Sequence, residues 1–325
     1  MIQHHKYNGI GGAQVEINWQ SLRDLRSDYV RSKGFLKDYW TPQLLKDYHQ
    51  TLGQRISWKW QAVLTLIQDQ GFMKDEEKLS LLDLGCGTGV AALSFVDAFP
   101  NLQFDSIHLW DRSPKAREFA KLQLKDKTSE TKIECSLPKS SNICLVSHVL
   151  TEMDDQQLSD FMEQVTKSDH IFWVDAGTSF VSKRLIQIRQ KLLSMGYEVK
   201  APCNHQNQCG MLAEGNEDHW CHFFAEPPQE AHQSAFWRDF AKQLKVDLRS
   251  LPVSFLVMSR RSEKTKSDDS RVIGRVREYK GFCKALLCNE SGVSEQDIQK
   301  RDDKKVFKKL CKGGFCMSHE GSCKS

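Results

Sequence analysis

Apolar positions change period along the chain. Trp19, Leu22, Leu25 and Tyr29 recur at helical spacing, and Trp58, Ala62, Leu64 and Ile67 continue it, so the stretch from about residue 15 to 67 is expected to be helical. From Lys78 the pattern becomes short apolar runs at 79–84, 107–110, 143–146 and 171–174. Between them, 90–99, 114–124, 155–165 and 179–195 have helical length and period. Strands alternating with helices in this way predict an α/β chain built on a mostly parallel, doubly wound sheet. The alternation stops near Tyr197. A Cys/His-rich, loop-like stretch follows at 202–222, then a helical segment at 234–244, then strand-like runs at 254–259 and 271–287 separated by a polar loop at 263–270. The expected organisation is a helical region at 1–77, an α/β domain at 78–200, a Cys-rich loop and helix at 201–250, a basic β-rich domain at 251–310, and a flexible Cys/Lys/Gly-rich tail at 311–325.

Composition sharpens this picture. With 39% hydrophobic and 27% charged positions in 325 residues, the chain can bury a core of about two domains, and a disordered, collagen-like or coiled-coil chain is excluded. A net charge of +4 hides a division. Residues 251–325 carry 17 Lys+Arg and 10 Asp+Glu, a net of +7, whereas the rest carries 29 against 32, a net of −3. The C-terminal part is therefore the expected contact for an anionic partner. No run of 18 apolar residues and no apolar N-terminal segment is present, so a cytoplasmic address and no membrane partner are expected. A monomer is expected as well. Thiols stay reduced in that compartment, and clustered cysteines there indicate metal binding or catalysis before disulfides.

The strongest local motif is Asp83-Leu84-Gly85-Cys86-Gly87-Thr88-Gly89, which follows a strand-like run and opens a helix-like one. Glycines allow a sharp turn and close approach of backbone to a ligand at the carboxyl end of a strand. The next strand ends in Asp111, suited to accept hydrogen bonds from ribose hydroxyls. The spacing D-x-G-x-G-x-G differs from the G-x-G-x-x-G of dinucleotide folds. It resembles the first motif of class I S-adenosylmethionine-dependent methyltransferases, which implies S-adenosyl-L-methionine held by Asp83, Gly85, Gly87, Gly89 and Asp111. After the next core strand the chain reads Ser147-His148, where many nucleic-acid N-methyltransferases carry a polar-Pro-Pro-aromatic motif. His148 is open to three roles: general base, contact to the cofactor edge, or structural histidine. Ser147 and His148 join the expected cofactor contacts, and no catalytic residue is recognisable.

A second constellation is Pro202-Cys203-Asn204-His205, Cys209, and Trp220-Cys221-His222-Phe223. Three thiols on one irregular stretch can converge on a metal; four thiolates suit zinc or an iron–sulfur cluster, and His205 or His222 could complete a Cys₃His zinc site. The order of a methyltransferase-type domain, P-C-x-H-x3-C, W-C-H-F and a basic β-rich tail resembles the ribosomal small-subunit methyltransferase-like family, which includes a mitochondrial ribosome assembly factor and bacterial relatives. The likeness runs from about Trp40 to Lys309 and includes Asp175-Ala176-Gly177-Thr178, Arg271-Val272-Ile273, Leu287-Cys288-Asn289 and Lys300-Arg301-Asp302. It implies a 4Fe–4S cluster, with zinc as the alternative metal, on Cys203, Cys209, Cys221 and Cys288. Gly210 stands where the family pattern has proline, which is expected to loosen the loop. Cys283 is a competing ligand or a core residue. Cys86, Cys135 and Cys144 are expected to pack as small hydrophobes, and Cys311, Cys316, His319 and Cys323 to lie in the loose tail or in a zinc knuckle.

The resemblance also implies a small-subunit assembly or maturation factor that binds rRNA. Lys300, Arg301, Lys304, Lys305, Lys308 and Lys309 form the densest basic cluster, suited to phosphate contacts. Two other functions fit the same motifs: an active rRNA methyltransferase, and an iron- or redox-responsive regulator of translation.

Overall fold

The computed structural model describes residues 5–8, 14–31, 40–73, 78–128, 131–260 and 269–319. Most of the expected polar loop and Cys323 lie outside them. In chain order the elements are β1 (His5–Asn8), β2 (Gln14–Ile17), α1 (Trp19–Arg31), α2 (Pro42–Tyr48), α3 (Gln54–Asp69), β3 (Leu79–Leu84), α4 (Val90–Ala98), β4 (Phe104–Trp110), α5 (Pro114–Lys125), β5 (Lys132–Glu134), β6 (Ser141–Ser147) and α6 (Asp155–Val165). There follow β7 (Ser168–Ala176), α7 (Ser179–Ser194), β8 (Glu198–Ala201), β9 (Phe223–Ala225), α8 (Gln229–Gln233), α9 (Ala235–Leu244), β10 (Leu251–Ser259), β11 (Ser270–Glu278), β12 (Phe282–Asn289), β13 (Gly292–Gln299), α10 (Lys304–Lys312) and β14 (Ser318–His319). No described helix is long and apolar enough to cross a membrane. The chain forms two compact units, Met1–Ser168 with Glu226–Leu251, and Asp169–Ala225 with Pro252–Ser325.

In the first unit β5, β4, β3 and β6 lie side by side and parallel, with Leu81 opposite Ile107 on one side and Ile143 on the other. Leu81, Leu84, Ile107, Leu109, Ile143 and Leu145 are all buried, as expected of parallel strands covered on both faces. The helices begin where side chains satisfy free N–H groups. Thr41 and Ser113 cap α2 and α5 just before Pro42 and Pro114, and Asp154 with Gln157 forms a capping box on α6. The N-terminal region is not helical throughout: β1 and β2 pair antiparallel before α1. A single π-turn, His49–Gly53, joins α2 to α3.

Residues 226–251 return to this unit instead of continuing the Cys-rich loop, and the reason is aromatic. Trp237 of α9 packs on Trp58 of α3 with ring centroids 4.7 Å apart, and Phe240 lies 6.3 Å from Trp19 of α1. Burying each such ring stabilises the unit by about 1.5–3 kcal/mol.

The second unit departs from the expected parallel sheet. β10 runs antiparallel to both β7 and β8, with Phe255 opposite Val174, and β9 also pairs with β10. A separate four-stranded antiparallel sheet has the order β13-β12-β11-β14. The strand β13, which the sequence pattern did not mark, is mostly polar, with Glu295 and Asp297 exposed and only Val293 and Ile298 packed on the cores. Alternation along β12 separates two faces. Cys283, Ala285 and Leu287 pack with Val272 and with Phe307 and Leu310 of α10, whereas Cys288 packs with Ile273, Cys209 and Met211. Residues 311–319 are not a loose tail in this fold: Cys311 packs against the α10 core, Cys316 is buried, and Ser318 lies opposite Arg271.

Candidate functional site

At the carboxyl end of β3 the chain turns through Gly85, Gly87 and Gly89, all with positive φ (79°, 50° and 78°). The N–H groups of Gly85 and Cys86 donate to Trp110 O at 2.7 and 2.9 Å, and Gly89 N–H donates to Cys86 O at 2.7 Å. Two of these glycines serve close packing: a Cβ on Gly85 would stand 2.7 Å from Val149 Cγ1, and one on Gly89 would stand 2.9 Å from Ala120 Cβ. Gly87 differs, since a Cβ there would meet nothing within 4 Å. It opens on a cavity of about 560 Å³, a size suited to a cofactor or drug-sized ligand.

Asp111 closes one side of this cavity. Its Oδ2 accepts Gly87 N–H and its Oδ1 accepts Ser113 N–H, both at 2.9 Å. Burial raises its carboxyl pKa, opposed by those two N–H donors and by Arg112 and Arg117. Each oxygen keeps a further lone pair for a ligand hydroxyl. Asp83 is not among the lining residues. It lies buried beneath the loop, its Oδ2 accepting Ala92 N–H at 3.1 Å, and burial pushes its pKa to about 7. It ties β3 to the first turn of α4.

Ser147 and His148 line the cavity from the end of β6. Ser147 Oγ accepts Trp60 Nε1–H at 2.9 Å. His148 holds a left-handed backbone, φ 55°, a region few residues other than glycine enter. Its Nε2 is buried with no hydrogen-bond partner, as is Thr88 Oγ1. Burial, with the charges of Lys59 and Arg55, lowers its pKa well below the usual histidine value, so the ring is neutral at pH 7. Sequence reasoning missed Trp40, Tyr48, Arg112, Glu152, Gln157 and Phe161, which complete the wall. Their spacing to the glycine loop carries no motif; the helix-start signals Thr41-Pro42 and Asp154-x-x-Gln157 are the nearest clue to the α2 and α6 contributions.

The cysteine constellation lies in the second unit. Arg189 of α7 holds the loop by donating to His205 O and Asn207 O, both at 3.0 Å. Gln206 pairs with Val199 like a strand neighbour, and Arg271 Nε donates to Pro202 O at 2.9 Å. Cys209 and Cys288 pack together with Cys221 against them, and Cys288 Sγ lies 3.7 Å from His205 Nε2. Burial raises the Cys221 and Cys288 thiols, and charge on Cys203 and Cys209 raises them further. Cys316 comes close enough to act on Cys221 as well. Among the described residues, no group of three His, Cys, Asp or Glu side chains is placed to hold a metal ion. The expected ligands are thus neighbours without a coordinating geometry.

Two details correct the sequence reading. A Cβ on Gly210 would stand 2.6 Å from Val293 N and 2.9 Å from Gly292 Cα, so glycine, not proline, fits where this loop meets the β12–β13 hairpin, and the position is tightly packed instead of loose. Cys283 faces α10 beside Cys311, on the side of β12 away from Cys288, which removes it as a competing ligand. Cys144 is fully buried and Cys86 buried at the cavity wall, while Cys135 is half-buried.

The basic cluster is exposed. Lys304, Lys305, Lys308 and Lys309 project from α10, whose Phe307 and Leu310 face the sheet, and Asp303 caps the helix through Lys305 and Val306 N–H. Lys300 lies over the Phe307 ring, 5.6 Å from its centroid, and Arg301 pairs with Asp302 at 3.7 Å.

No curated protein matches the chain. Among solved structures, one described as a candidate RNA methyltransferase from Pyrococcus horikoshii is similar at 13% identity and a TM-score of 0.39, covering 74% of this chain and 96% of that one. A precorrin-6y C5,15-methyltransferase from Geobacter metallireducens has 12% identity and a TM-score of 0.36, covering 62% and 88%. TrmK of M. capricolum, solved with S-adenosyl-homocysteine, has 9% identity and a TM-score of 0.34, covering 63% and 70%. Residues 54–313 match the model of the family described as mitochondrial small ribosomal subunit Rsm22. With that match spanning most of its length, the chain belongs to the Rsm22 family of the mitochondrial small ribosomal subunit.

Proposed function

We propose that this chain is an assembly or maturation factor of the small ribosomal subunit that binds its rRNA, takes S-adenosyl-L-methionine in the glycine-loop cavity and carries a metal centre on its cysteine loop. The observation that carries this reading is the family match over residues 54–313. The +7 balance of residues 251–325 supports an anionic partner independently, and Lys300, Arg301, Lys304, Lys305, Lys308 and Lys309 are the groups to contact phosphates.

The cavity suits the cofactor. The open approach over Gly87, the remaining lone pairs of Asp111 and the unpartnered polar atoms of Thr88 and His148 match a ligand with hydroxyl, amine and ring-nitrogen groups. Gly85 and Gly87 would supply the backbone wall, Asp111 would take ribose hydroxyls, and Ser147 and His148 would complete the contacts, while Gly89, packed on Ala120 outside the cavity lining, and Asp83, buried beneath, hold the loop in place. When bound, the cofactor supplies an electrophilic methyl group. His148, whose pKa burial lowers, would offer its unpartnered Nε2 to a ligand in the cavity without adding a positive charge there.

The donor set of Cys203, Cys209, Cys221 and Cys288 also suits a thiophilic centre, a 4Fe–4S cluster with zinc as the alternative. The thiols of Cys209, Cys221 and Cys288, raised by burial and by neighbouring cysteines, resist ionising together, and a multivalent cation reverses that balance. Binding has to draw the thiols into coordination, which couples the loop and β12 to metal loading.

Co-sedimentation with small-subunit precursors tests the reading. The parent is expected to travel with the precursor, and charge reversal at Lys304, Lys305, Lys308 and Lys309 to release it; a parent that stays free in the presence of precursor overturns the role. A second reading, methyl transfer to rRNA, is favoured by the unpartnered His148 Nε2 at the cavity. Labelled methyl incorporation into rRNA, abolished by Gly87→Arg, would establish it.

A further inference from the structure

We propose that Trp220, His222 and Phe224, with Arg275 and Arg277 of β11 and Tyr279 just beyond it, form a stacking surface for single-stranded RNA. The proposal deepens the rRNA reading and rests on it for the partner's class; the surface itself is distinct from the lysine face of α10.

The three aromatic residues alternate along the segment that leads into β9. The Trp220 and His222 rings are stacked, centroids 4.8 Å apart at 21°, and Phe224 meets His222 edge-on at 5.2 Å. Their polar edges are engaged by backbone. Trp220 Nε1 donates to Gly177 O at 3.0 Å, and His222 Nδ1 donates to Trp220 O at 3.0 Å. Gly274 of β11 lies directly against the stripe. Its N–H donates to His222 O at 2.9 Å, and a Cβ there would stand 3.0 Å from His222 Cε1. The rings are thus held in position yet only half-buried.

Cations join the stripe at its end. The Arg275 guanidinium sits over the Phe224 ring, 4.2 Å from its centroid, and is itself exposed. Val276, between Arg275 and Arg277, packs on the α10 core, so the two arginines face away from it, and Tyr279 follows the end of the strand. Tyr279 is 44% exposed and lies flat on Phe282, centroids 4.8 Å apart at 8°, beside exposed Lys280. Glu295 pairs with both Arg277 and Lys284, and Asp297 with Lys284, so part of the charge is neutralised. Arg275, Arg277, Lys280 and Lys284 still outnumber those two acids.

Flat rings and guanidinium planes side by side are what unstacked bases and a phosphate backbone recognise together. A duplex keeps its bases inside the stack and offers only phosphates, for which the α10 lysines already suffice. An acidic peptide would use the arginines and leave the rings unused. Single-stranded RNA uses both.

The test is fluorescence anisotropy with fluorescein-labelled 12-nucleotide oligouridylate and oligoadenylate, and a duplex RNA of equal length, alongside precursor co-sedimentation. The parent is expected to bind both single strands at least tenfold more tightly than the duplex. Tyr279→Ala, and separately Arg275→Ala with Arg277→Ala, are expected to weaken single-strand binding about tenfold or more, the scale of one lost base stack. Circular dichroism is expected to be unchanged because these side chains are exposed. Variants that bind single strands like the parent, or a duplex bound equally well, overturn the surface. If the parent sediments with precursors while failing to bind the oligonucleotides, the surface alone is wrong; if it does neither, the rRNA reading fails with it.

Discussion

Asp111 receives the backbone N–H of Gly87 at 2.9 Å on one carboxylate oxygen and that of Ser113 at 2.9 Å on the other. One side chain therefore shapes the glycine loop and the entry to α5 together. Asp111→Asn keeps the size but offers one acceptor and sets an amide NH₂ against the other N–H. The expected loss is about 1–2 kcal/mol in urea unfolding, with S-adenosyl-L-homocysteine affinity reduced about tenfold in calorimetry, a loss of about 1.4 kcal/mol. Unchanged unfolding would mean that the loop does not depend on this carboxylate.

Gly87 and Gly89 are expected to fail differently when substituted. Gly87→Arg meets open space, so it costs only the left-handed backbone, about 1–2 kcal/mol, and fills the cavity. Gly89→Val must displace Ala120 and is expected to lower the melting temperature severely. Thermal melts with and without S-adenosyl-L-homocysteine separate the two: a folded Gly87→Arg chain without ligand-induced stabilisation, against a Gly89→Val chain that is unstable throughout.

Asp83 makes stability depend on pH. Its folded pKa of about 7 lies above the unfolded carboxyl value of about 3.9. The folded chain holds the proton more tightly, so this contribution is complete below the unfolded pKa and lost as pH rises through about 7. Between pH 6 and 8 the parent is expected to lose on the order of 1 kcal/mol relative to Asp83→Asn, which has no proton to lose. Parallel denaturation curves with the same pH slope would contradict the assignment.

Cys288 and Cys283 sit five residues apart on opposite faces of β12, and the two should behave as opposites. In anaerobic purification, Cys288→Ser is expected to lose the metal centre and expose the second unit to proteolysis. Cys283→Ser is expected to keep iron and sulfide at parental levels while loosening only the α10 packing. Zinc without sulfide in the parent would replace the cluster by the alternative metal, and equal metal loss in both variants would contradict the facing of β12.

Much of this was legible before the structure. The D-x-G-x-G-x-G loop and Asp111 could be read because a tight turn and an acidic strand end are local requirements of one site. Helix starts at Pro42, Pro114 and Asp155 carry their caps in the adjacent residues. Three things were hidden because they are set by packing between elements and not by a local residue pattern. The polar strand β13 exists only through β12. Trp237 and Phe240 return 226–251 to the first unit through Trp19 and Trp58. The depth of Asp83, below the cavity instead of at its wall, depends on how α4 seats on β3.

Cofactor binding tests the account most directly. Titration of S-adenosyl-L-methionine into the purified parent and into Gly87→Arg, followed by isothermal calorimetry, reads the cavity alone, independent of rRNA and of metal. The account predicts saturable binding at one site per parent chain and none to a folded Gly87→Arg chain. A folded parent that takes up no S-adenosyl-L-methionine, or a Gly87→Arg chain that binds it as the parent does, would contradict it.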